Sequence, residues 1–208
     1  MRTTVKRGRW PVALLTMLCI VLPYVTTEAG TAEQQGWRLY TNARFGFSVR
    51  YPDTWQLGKP LPDGIGVTLL PPIEHSLVAL SGHMNLLEGT SQDRRQTLEE
   101  FAAAHRRIIT DLFQKKNVQI DWQQDQDATL AGFPAKRLSF TYQDDRRVRM
   151  IEIHLFSLGR NEGRGVRIKI PVTSQAELEP AISAMLAGYQ PGRDQNAVSP
   201  IVPKQQSQ

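Results

Sequence analysis

The chain has 208 residues, a formal net charge of +5 and a single cysteine, Cys19. This length accommodates one domain of ordinary size with tails. Residues 1–29 hold four basic residues and one acidic residue, so the remaining chain carries 21 basic and 19 acidic residues and is nearly neutral. A dedicated nucleic-acid-binding protein is therefore disfavoured. Beyond residue 29 the chain offers no disulfide, thiolate nucleophile or cysteine-ligated metal.

Residues 1–29 have the organisation of a secretory signal peptide. A basic stretch is followed by an apolar run of 15 residues over positions 11–25, and small residues follow up to Ala32. A signal peptidase accepts such residues, and we expect cleavage between Ala29 and Ala32. An uncleaved membrane anchor is the alternative, but a spanning helix needs about 20 apolar residues. We therefore expect export to the periplasm or the cell exterior.

The clearest strand signal lies in residues 40–55, which follow a first predicted strand over residues 37–41. Large apolar residues alternate there with small or polar ones, at Phe45, Phe47, Val49 and Tyr51. This period of two places the four large side chains on one face of a strand. Pro52 ends the strand because it has no N–H group to donate.

Further strands are predicted by alternation and by turn residues between the runs. They cover residues 56–59, 66–70, 76–86, 118–122, 138–142, 151–155 and 166–170. The last three runs are separated by short turns, a spacing that is typical of an antiparallel meander. The continuous apolar residues 77–80 indicate a strand covered on both faces.

Two helices are predicted, over residues 97–116 and 174–187. Thr97 with Glu100, and Ser174 with Glu177, have the spacing of capping boxes. The first helix shows an apolar stripe at three- and four-residue steps, formed by Leu98, Phe101, His105, Ile108 or Ile109, and Leu112. Pro180 is expected either to kink the second helix or to lie in its first turn. Residues 30–36 are expected to be a polar leader, residues 37–190 the folded domain and residues 191–208 a disordered tail.

Three segments resemble the PsbP-like family. Residues 45–55 resemble its aromatic-Gly-Phe-Ser entry with Tyr-Pro and Trp, residues 97–101 its first long helix, and residues 130–136 its Leu-x-Gly-x-Pro-Ala turn. The resemblance covers about residues 37–189. It implies an α+β fold, an α-β-α sandwich around a central antiparallel sheet. It also implies a non-enzymatic binding module, because known members of the family are mostly of that kind.

Histidine and carboxylate residues offer few candidates for chemistry. His105 lies on the apolar stripe of the first helix, where a packed, hydrogen-bonded histidine is expected rather than a ligand. Glu152 and His154 share a strand face and could form an acid–base pair, but no nucleophile motif accompanies them. Residues 121, 125 and 127 are aspartates, and their spacing is not that of an EF-hand loop, so a solvated turn is expected. No cofactor or metal motif is found.

Four basic residues form the strongest candidate for a binding surface. They lie opposite the apolar sets of their strands, at Arg50, Arg137, Arg167 and Lys169. If these strands are neighbours, alternation places all four on one face of the sheet. Such a face could attract an acidic protein surface or an anionic lipid headgroup. The competing interpretation is an ordinary solvated sheet face.

The sequence therefore predicts an exported, non-catalytic binding or accessory domain. It would act through a surface, and its partner would be another envelope or extracellular protein. Two alternatives stay open at this point: a hydrolase or lyase using Glu152 and His154 in a cleft, and a peripheral binder of anionic membranes. A cleft enzyme should show the two side chains converging in a pocket, whereas a binding module should show them apart or buried in sheet packing.

Overall fold

The computed structural model describes residues 36–84, 97–159 and 162–192. The predicted signal peptide, the leader up to residue 35 and residues 193–208 of the predicted tail lie outside this part. The strands and helices are β1 (Trp37–Thr41), β2 (Ser48–Pro52), β3 (Gln56–Pro60), β4 (Gly66–Leu70), β5 (Leu77–Met84), α1 (Leu98–Lys115), β6 (Ile120–Trp122), β7 (Gln126–Leu130), β8 (Phe133–Gln143), β9 (Arg149–Leu158), β10 (Glu162–Pro171) and α2 (Gln175–Ala187). Neither helix combines the length and apolar character needed to cross a bilayer.

Eight of the described strands form one antiparallel sheet. Its order is β3-β4-β5-β10-β9-β8, and β6 and β7 both pair with the outer edge of β8. The predicted meander is confirmed as β8-β9-β10, whose strands pair in sequence. Strands β1 and β2 form a separate two-stranded sheet. The fold is thus α+β with a central antiparallel sheet.

The two faces of the large sheet are covered by different elements. We call the face that carries Phe140 and His154 the α1 face, because α1 packs on it. The opposite face, which carries Ile153 and Ile168, is the α2 face. It packs against α2 and against the side chains of β2 in the main apolar core. This arrangement is the expected α-β-α sandwich, with the β1–β2 sheet added to the α2 layer.

The core confirms the alternation predicted from the sequence. Phe47 and Phe140 are fully buried and Ile168 is 2% exposed. Each large apolar side chain removed from water contributes about 1.5–3 kcal/mol. The main core unites residues from both sheets and α2, namely Phe47, Val49, Tyr51, Val67, Leu69, Val78, Leu80, Ile151, Ile153, Leu155, Val166, Ile168, Leu178, Ile182 and Met185.

Helix α1 begins at the predicted capping box. The backbone N–H of Glu100 donates to Thr97 Oγ1 at 3.2 Å, and the N–H of Thr97 donates to Glu100 Oε2 at 3.0 Å. The predicted stripe is wrong at its end, because Leu112 is 51% exposed. Phe113 packs on the sheet in its place. The α1 residues that contact the sheet recur in steps of four, at positions 101, 105, 109 and 113. A helical turn has 3.6 residues, so this stripe winds slowly around the helix and ends at residue 113 instead of 112.

Helix α2 differs from the prediction at its start. A short 3₁₀ turn over Val172–Ser174 precedes it, and Ser174 makes no side-chain capping bond. The predicted second capping box is therefore wrong. The backbone of Ser174 has φ −100° and ψ 2°, rather than the extended conformation from which a capping side chain reaches the helix. Pro180 is exposed and lies in the second turn of α2. The alternative that placed it in the first turn is therefore wrong.

Candidate functional site

A buried ion pair occupies the centre of the α1 face. Glu152 is 1% exposed and lies on β9. Arg167 on the neighbouring β10 donates from Nε to Glu152 Oε2 at 2.8 Å and from Nη2 to Oε1 at 2.9 Å. Arg167 is directly opposite His154, so it reaches Glu152 along the diagonal of the sheet. This two-pronged geometry is the strongest form of an arginine–carboxylate pair.

Two further side chains complete the hydrogen bonding of Glu152. Tyr142 on β8 donates its hydroxyl to Oε1 at 3.0 Å, and His154 Nε2 lies 3.2 Å from Oε2. Burial alone would raise the pKa of Glu152, but hydrogen bonds from His154 and Arg167 outweigh burial and hold this pKa at about 2. Burial, followed by the charge of Glu152, raises the pKa of Tyr142. Glu152 is therefore a carboxylate and Tyr142 a neutral donor.

His105 joins the network to helix α1. Its Nε2 lies 2.9 Å from His154 Nδ1. A carboxylate only accepts hydrogen bonds, so His154 donates from Nε2. With one proton on each ring, His154 Nδ1 then accepts the proton of His105 Nε2. Burial, the neighbouring His154 and His83, and the charge of Arg167 lower the pKa of His105 to about 4. His105 is thus the packed, hydrogen-bonded histidine that the sequence predicts, and its low pKa makes it neutral at pH 7.

An aromatic column extends the network along α1. Phe101 stacks between His83 of β5 and His105, with ring centroids 4.9 and 5.9 Å apart. His83 Nε2 is buried and meets no hydrogen-bond partner among the residues that the structure describes. Burial, followed by the charge of Arg164, lowers the pKa of His83 to about 4. Phe101 therefore lies between two imidazoles, His83 and His105, that are both neutral at pH 7.

Glu152 and His154, which the sequence offered as an acid–base pair, are in contact in the structure. Glu152 and His154 meet beneath α1, and both are buried in the packing of the sheet. A cavity of about 790 Å³ lies at the C-terminal end of α1, but neither residue lines it. Every oxygen of Glu152 and both ring nitrogens of His154 are used in hydrogen bonds to protein groups.

The four predicted cations do not share a face, so that prediction is wrong. Arg50 belongs to β2, in the separate two-stranded sheet. Arg137 pairs with Leu155 and therefore lies on the α2 face. Arg167 pairs with His154 and Lys169 with Glu152, which places both on the α1 face. The apolar set of β8 faces α1 while that of β10 faces α2, so residues opposite these sets point in different directions. Whether any of them binds an anion stays a prediction.

Arg167 and Lys169 lie beside the part of the α1 face that no described element covers. Helix α1 packs over β8 and β9, and its one flank contacts Trp122 at the outer edge of β6 through Arg106 and Thr110. Successive residues turn about 100° around a helix, so Ile108 and Leu112 occupy the other flank, towards β10. They are 56% and 51% exposed.

We call this area the α1–β10 surface. It consists of Ile108 and Leu112 on α1, Leu77 and Ala79 on β5, and Arg167 and Lys169 on β10. Leu77 and Ala79 are half-buried and pair with Lys169 and Arg167, respectively. The side chain of Arg167 is 46% exposed despite its buried partner. The surface thus combines apolar groups on two walls with two cations.

The aspartates after β6 engage in ordinary surface pairs. Asp125 accepts from Arg106 at 2.7 Å, and Asp127 pairs with Lys136. Within the described ranges, no group of three or more His, Cys, Asp or Glu side chains is arranged to hold a metal ion. Asp121 lies in β6 and Asp127 in β7, so only Asp125 lies between strands as the predicted turn requires, although all three aspartates are exposed. Tyr142, His83 and the exposed flank of α1 were missed from the sequence, since only the pairing of the strands brings them to the site.

Comparisons with known proteins identify a shared fold. No family model and no curated protein match the chain. The solution structure of the cyanobacterial PsbP (CyanoP) from Synechocystis sp. PCC 6803 matches with a TM-score of 0.56 at 11% identity, covering 75% of this chain and 92% of that chain. LpqN of Mycobacterium tuberculosis, described as involved in cell envelope biogenesis, matches with a TM-score of 0.46 at 10% identity over 75% and 90% of the two chains. The similarity to the cyanobacterial protein, together with the antiparallel sheet and its two helices, shows that this chain has a PsbP-like fold.

Proposed function

We propose that the chain is an exported, non-catalytic binding domain that docks to another envelope or extracellular protein through the α1–β10 surface. The observation that carries this proposal is the exposure of Ile108 and Leu112 on the flank of α1 that helix geometry turns towards β10, the strand that holds Arg167 and Lys169. Export rests on the signal peptide predicted in residues 1–29. The PsbP-like fold is compatible with this role, although a fold alone does not determine function.

Apolar and charged groups make different contributions to such a surface. Two large apolar side chains that are more than half exposed on one helix flank release water when a partner covers them. Lys169 is half-buried, and no ion pair to it occurs in the part of the chain that the structure describes. A carboxylate of a binding protein could therefore form an ion pair with Lys169 without breaking an ion pair inside this domain. Complementary charge of this kind directs association and favours one orientation.

Arg167 is suited to recognition because Glu152 holds it in place. The carboxylate fixes Nε and Nη2, so the remaining N–H groups keep a defined direction on the exposed side. A pre-oriented side chain loses less conformational freedom on binding than a free one. The partner that fits is a protein segment with apolar side chains for α1 and β5 and with acidic side chains for β10.

Catalysis by Glu152 and His154 receives no support from their surroundings. A general base needs a free lone pair within reach of the substrate, and a general acid needs a proton that can leave. The Glu152 carboxylate accepts from three neighbouring side chains, and His154 contacts Glu152 and His105 with its two nitrogens. Both side chains are buried. This arrangement favours a binding module over a hydrolase or lyase.

A membrane-binding role is less well supported than protein binding. Surface attachment to anionic lipid relies on a cluster of cations, and each contributes about 1 kcal/mol. Of the four predicted cations, Arg50 and Arg137 lie elsewhere, and Arg167 is already paired with a carboxylate. Sedimentation with anionic vesicles at low and high salt tests this alternative directly, and salt-sensitive binding would replace the protein partner by a lipid surface.

Site-specific photo-crosslinking in the native envelope tests the proposed function. A benzoylphenylalanine at position 112 should form an adduct with one protein, whereas the same residue at position 39 should not, because Leu39 is 63% exposed but lies on β1. Lys169→Glu should abolish the adduct, and Arg137→Glu, on the opposite face, should leave it intact. Equal adducts from both positions would reject the α1–β10 surface as the binding site.

A further inference from the structure

The polar link between α1 and the centre of the sheet runs through a pair of histidines. His105 approaches His154 at 2.9 Å, and His154 approaches Glu152 at 3.2 Å. The other polar contacts of α1 lie towards the outer edge of the sheet, where Thr110 accepts from Trp122 and Glu99 pairs with Lys136. Its apolar contacts with the sheet belong to two small clusters around Leu138 and Phe140. One hydrogen-bonded chain therefore connects α1 to Arg167 on the α1–β10 surface.

The hydrogen bond between His105 and His154 tolerates one added proton but not two. His154 Nδ1 has to be free of a proton to accept from His105 Nε2. One added proton can reside on the outer nitrogen of His105 and leaves the bond intact. When both rings are protonated, two N–H groups face each other at the position of the bond, and the link between α1 and β9 is lost.

The surroundings of His105 make an added proton unfavourable. Burial is the largest cause of its low pKa, and His154 of β9, His83 of β5 and Arg167 of β10 lower this pKa further. Glu152 is the nearby anion, but Arg167 already neutralises it through two bonds. Tyr142 of β8 is neutral and donates its proton to the same carboxylate. A protonated His105 is therefore an uncompensated cation at the base of α1.

We propose that the His105–His154 pair is an acid-sensitive latch that seats α1 on the sheet and thereby regulates the α1–β10 surface. This inference rests on the proposed function, because Ile108 and Leu112 belong to the same helix as His105. At neutral pH the latch is closed and the apolar flank of α1 stands beside Arg167 and Lys169. Acid makes α1 open from the sheet more often, so the surface loses one wall for a larger fraction of the time and the partner binds more weakly.

Hydrogen exchange of the α1 amides tests the latch without any partner. His105 has a pKa of about 4 in the seated helix and an ordinary value of 6.5 when released. Proton uptake on release then makes the opening of α1 about 20-fold more frequent at pH 5 than at pH 7, after correction for intrinsic exchange. His105→Gln keeps a donor for His154 and cannot titrate, so its opening should change far less with pH. His75→Gln removes a histidine that contacts Arg146 instead and should retain the wild-type response.

Nitrogen-15 spectra of the wild-type imidazoles provide a reading that does not depend on a variant. His105 and His154 should both carry their proton on Nε2 at pH 7, and His105 should titrate well below pH 6.5. Unchanged α1 exchange between pH 7 and pH 5, an equal acid response in His105→Gln, or the other tautomers would overturn the latch. Crosslinking from position 112 separates the two proposals: absence of the adduct at pH 7 rejects the proposed function, while an undiminished yield of adduct at pH 5 rejects the regulation alone.

Discussion

Arg167 and Glu152 join the exposed side of the α1 face to its interior, with the arginine side chain 46% exposed and the carboxylate side chain 2% exposed. The two hydrogen bonds between them measure 2.8 and 2.9 Å. A buried charge that loses its partner costs about 3–5 kcal/mol, whereas an exposed cation costs little. The pair therefore makes the stability of the sheet depend on a residue that also belongs to the proposed binding surface.

We expect Arg167→Met to lower the free energy of unfolding by about 3 kcal/mol, since it leaves Glu152 buried without a counter-charge. Lys169→Met, two residues along the same strand face, should change it by less than about 0.5 kcal/mol. Urea denaturation at pH 7 measures both. Arg167→Met should also regain part of its lost stability on acidification, because burial raises the pKa of an unpaired Glu152. A similar loss in both variants would contradict the central role of the ion pair.

The end of the α1 stripe gives a second prediction. Phe113 packs edge-on against Phe140 and Tyr142, at centroid distances of 5.3 and 4.8 Å. Phe113→Ala should therefore cost about 3 kcal/mol, as is typical for a packed aromatic side chain. Leu112→Ala, one residue away and 51% exposed, should cost less than about 0.5 kcal/mol. Thermal unfolding monitored by circular dichroism ranks the two, and the reverse order would restore the stripe predicted from the sequence.

Stability should fall with acidification in a defined window. His83 and His105 each have a pKa of about 4 in the folded protein, against an ordinary 6.5. Between these values the unfolded chain binds more protons, so the free energy of unfolding decreases as pH is lowered from 6.5 to 4. The upper limit is about 3 kcal/mol for each histidine. Below pH 4.5, Glu152 adds a further loss as its proton uptake begins in the unfolded chain.

His83→Phe offers a check on this window. The new ring can still stack on Phe101, but it neither titrates nor leaves a buried nitrogen without a partner. We expect a shallower fall in stability between pH 6.5 and pH 4 than in the wild type. The slope is the measured quantity, because repacking near Gly163 can also shift the value at pH 7. An unchanged slope would show that His83 is not responsible for the loss.

The strands of the large sheet could be predicted because their apolar residues alternate, and α1 because Thr97 and Glu100 mark its start. The relation between strands could not be predicted in the same way. Alternation states which residues of one strand share a face, but it does not state which layer that face meets. Phe140 faces α1 while Ile168 faces α2, and this difference separated Arg137 from Arg167. The strand β7 was missed, since its sequence, Gln-Asp-Ala-Thr-Leu, contains few large apolar residues.

The hydrogen-bond network around Glu152 could not be predicted from the sequence for a related reason. Glu152 and His154 could be paired from their spacing on one strand. Tyr142, Arg167 and His105 come from three other elements, and only the register of β8, β9 and β10 brings the first two to Glu152. A tyrosine in an apolar strand set looks like an ordinary core residue until its neighbours are known.

Asn42 provides the last prediction, because its side chain holds the turn between β1 and β2. It is 3% exposed. Its Oδ1 accepts from the backbone N–H of Phe45 at 2.8 Å, and its Nδ2 donates to the carbonyl of Gly64 at 3.0 Å. Asn42→Ala leaves the buried N–H of Phe45 without this partner, at about 1–3 kcal/mol, whereas the carbonyl of the exposed Gly64 can bind water instead. We therefore expect the free energy of unfolding to fall by about 2 kcal/mol.

Asn42→Asp separates the two roles of this side chain. Aspartate keeps an acceptor for Phe45 but places a second oxygen against the Gly64 carbonyl, so it removes one bond and adds repulsion. We expect an intermediate loss at low pH, where a protonated carboxyl can donate to Gly64, and a larger loss at pH 7. Urea denaturation at the two pH values, with the wild type measured in parallel, gives the comparison. If Asn42→Asp and Asn42→Ala responded identically to pH, the donor role of Asn42 towards Gly64 would be excluded.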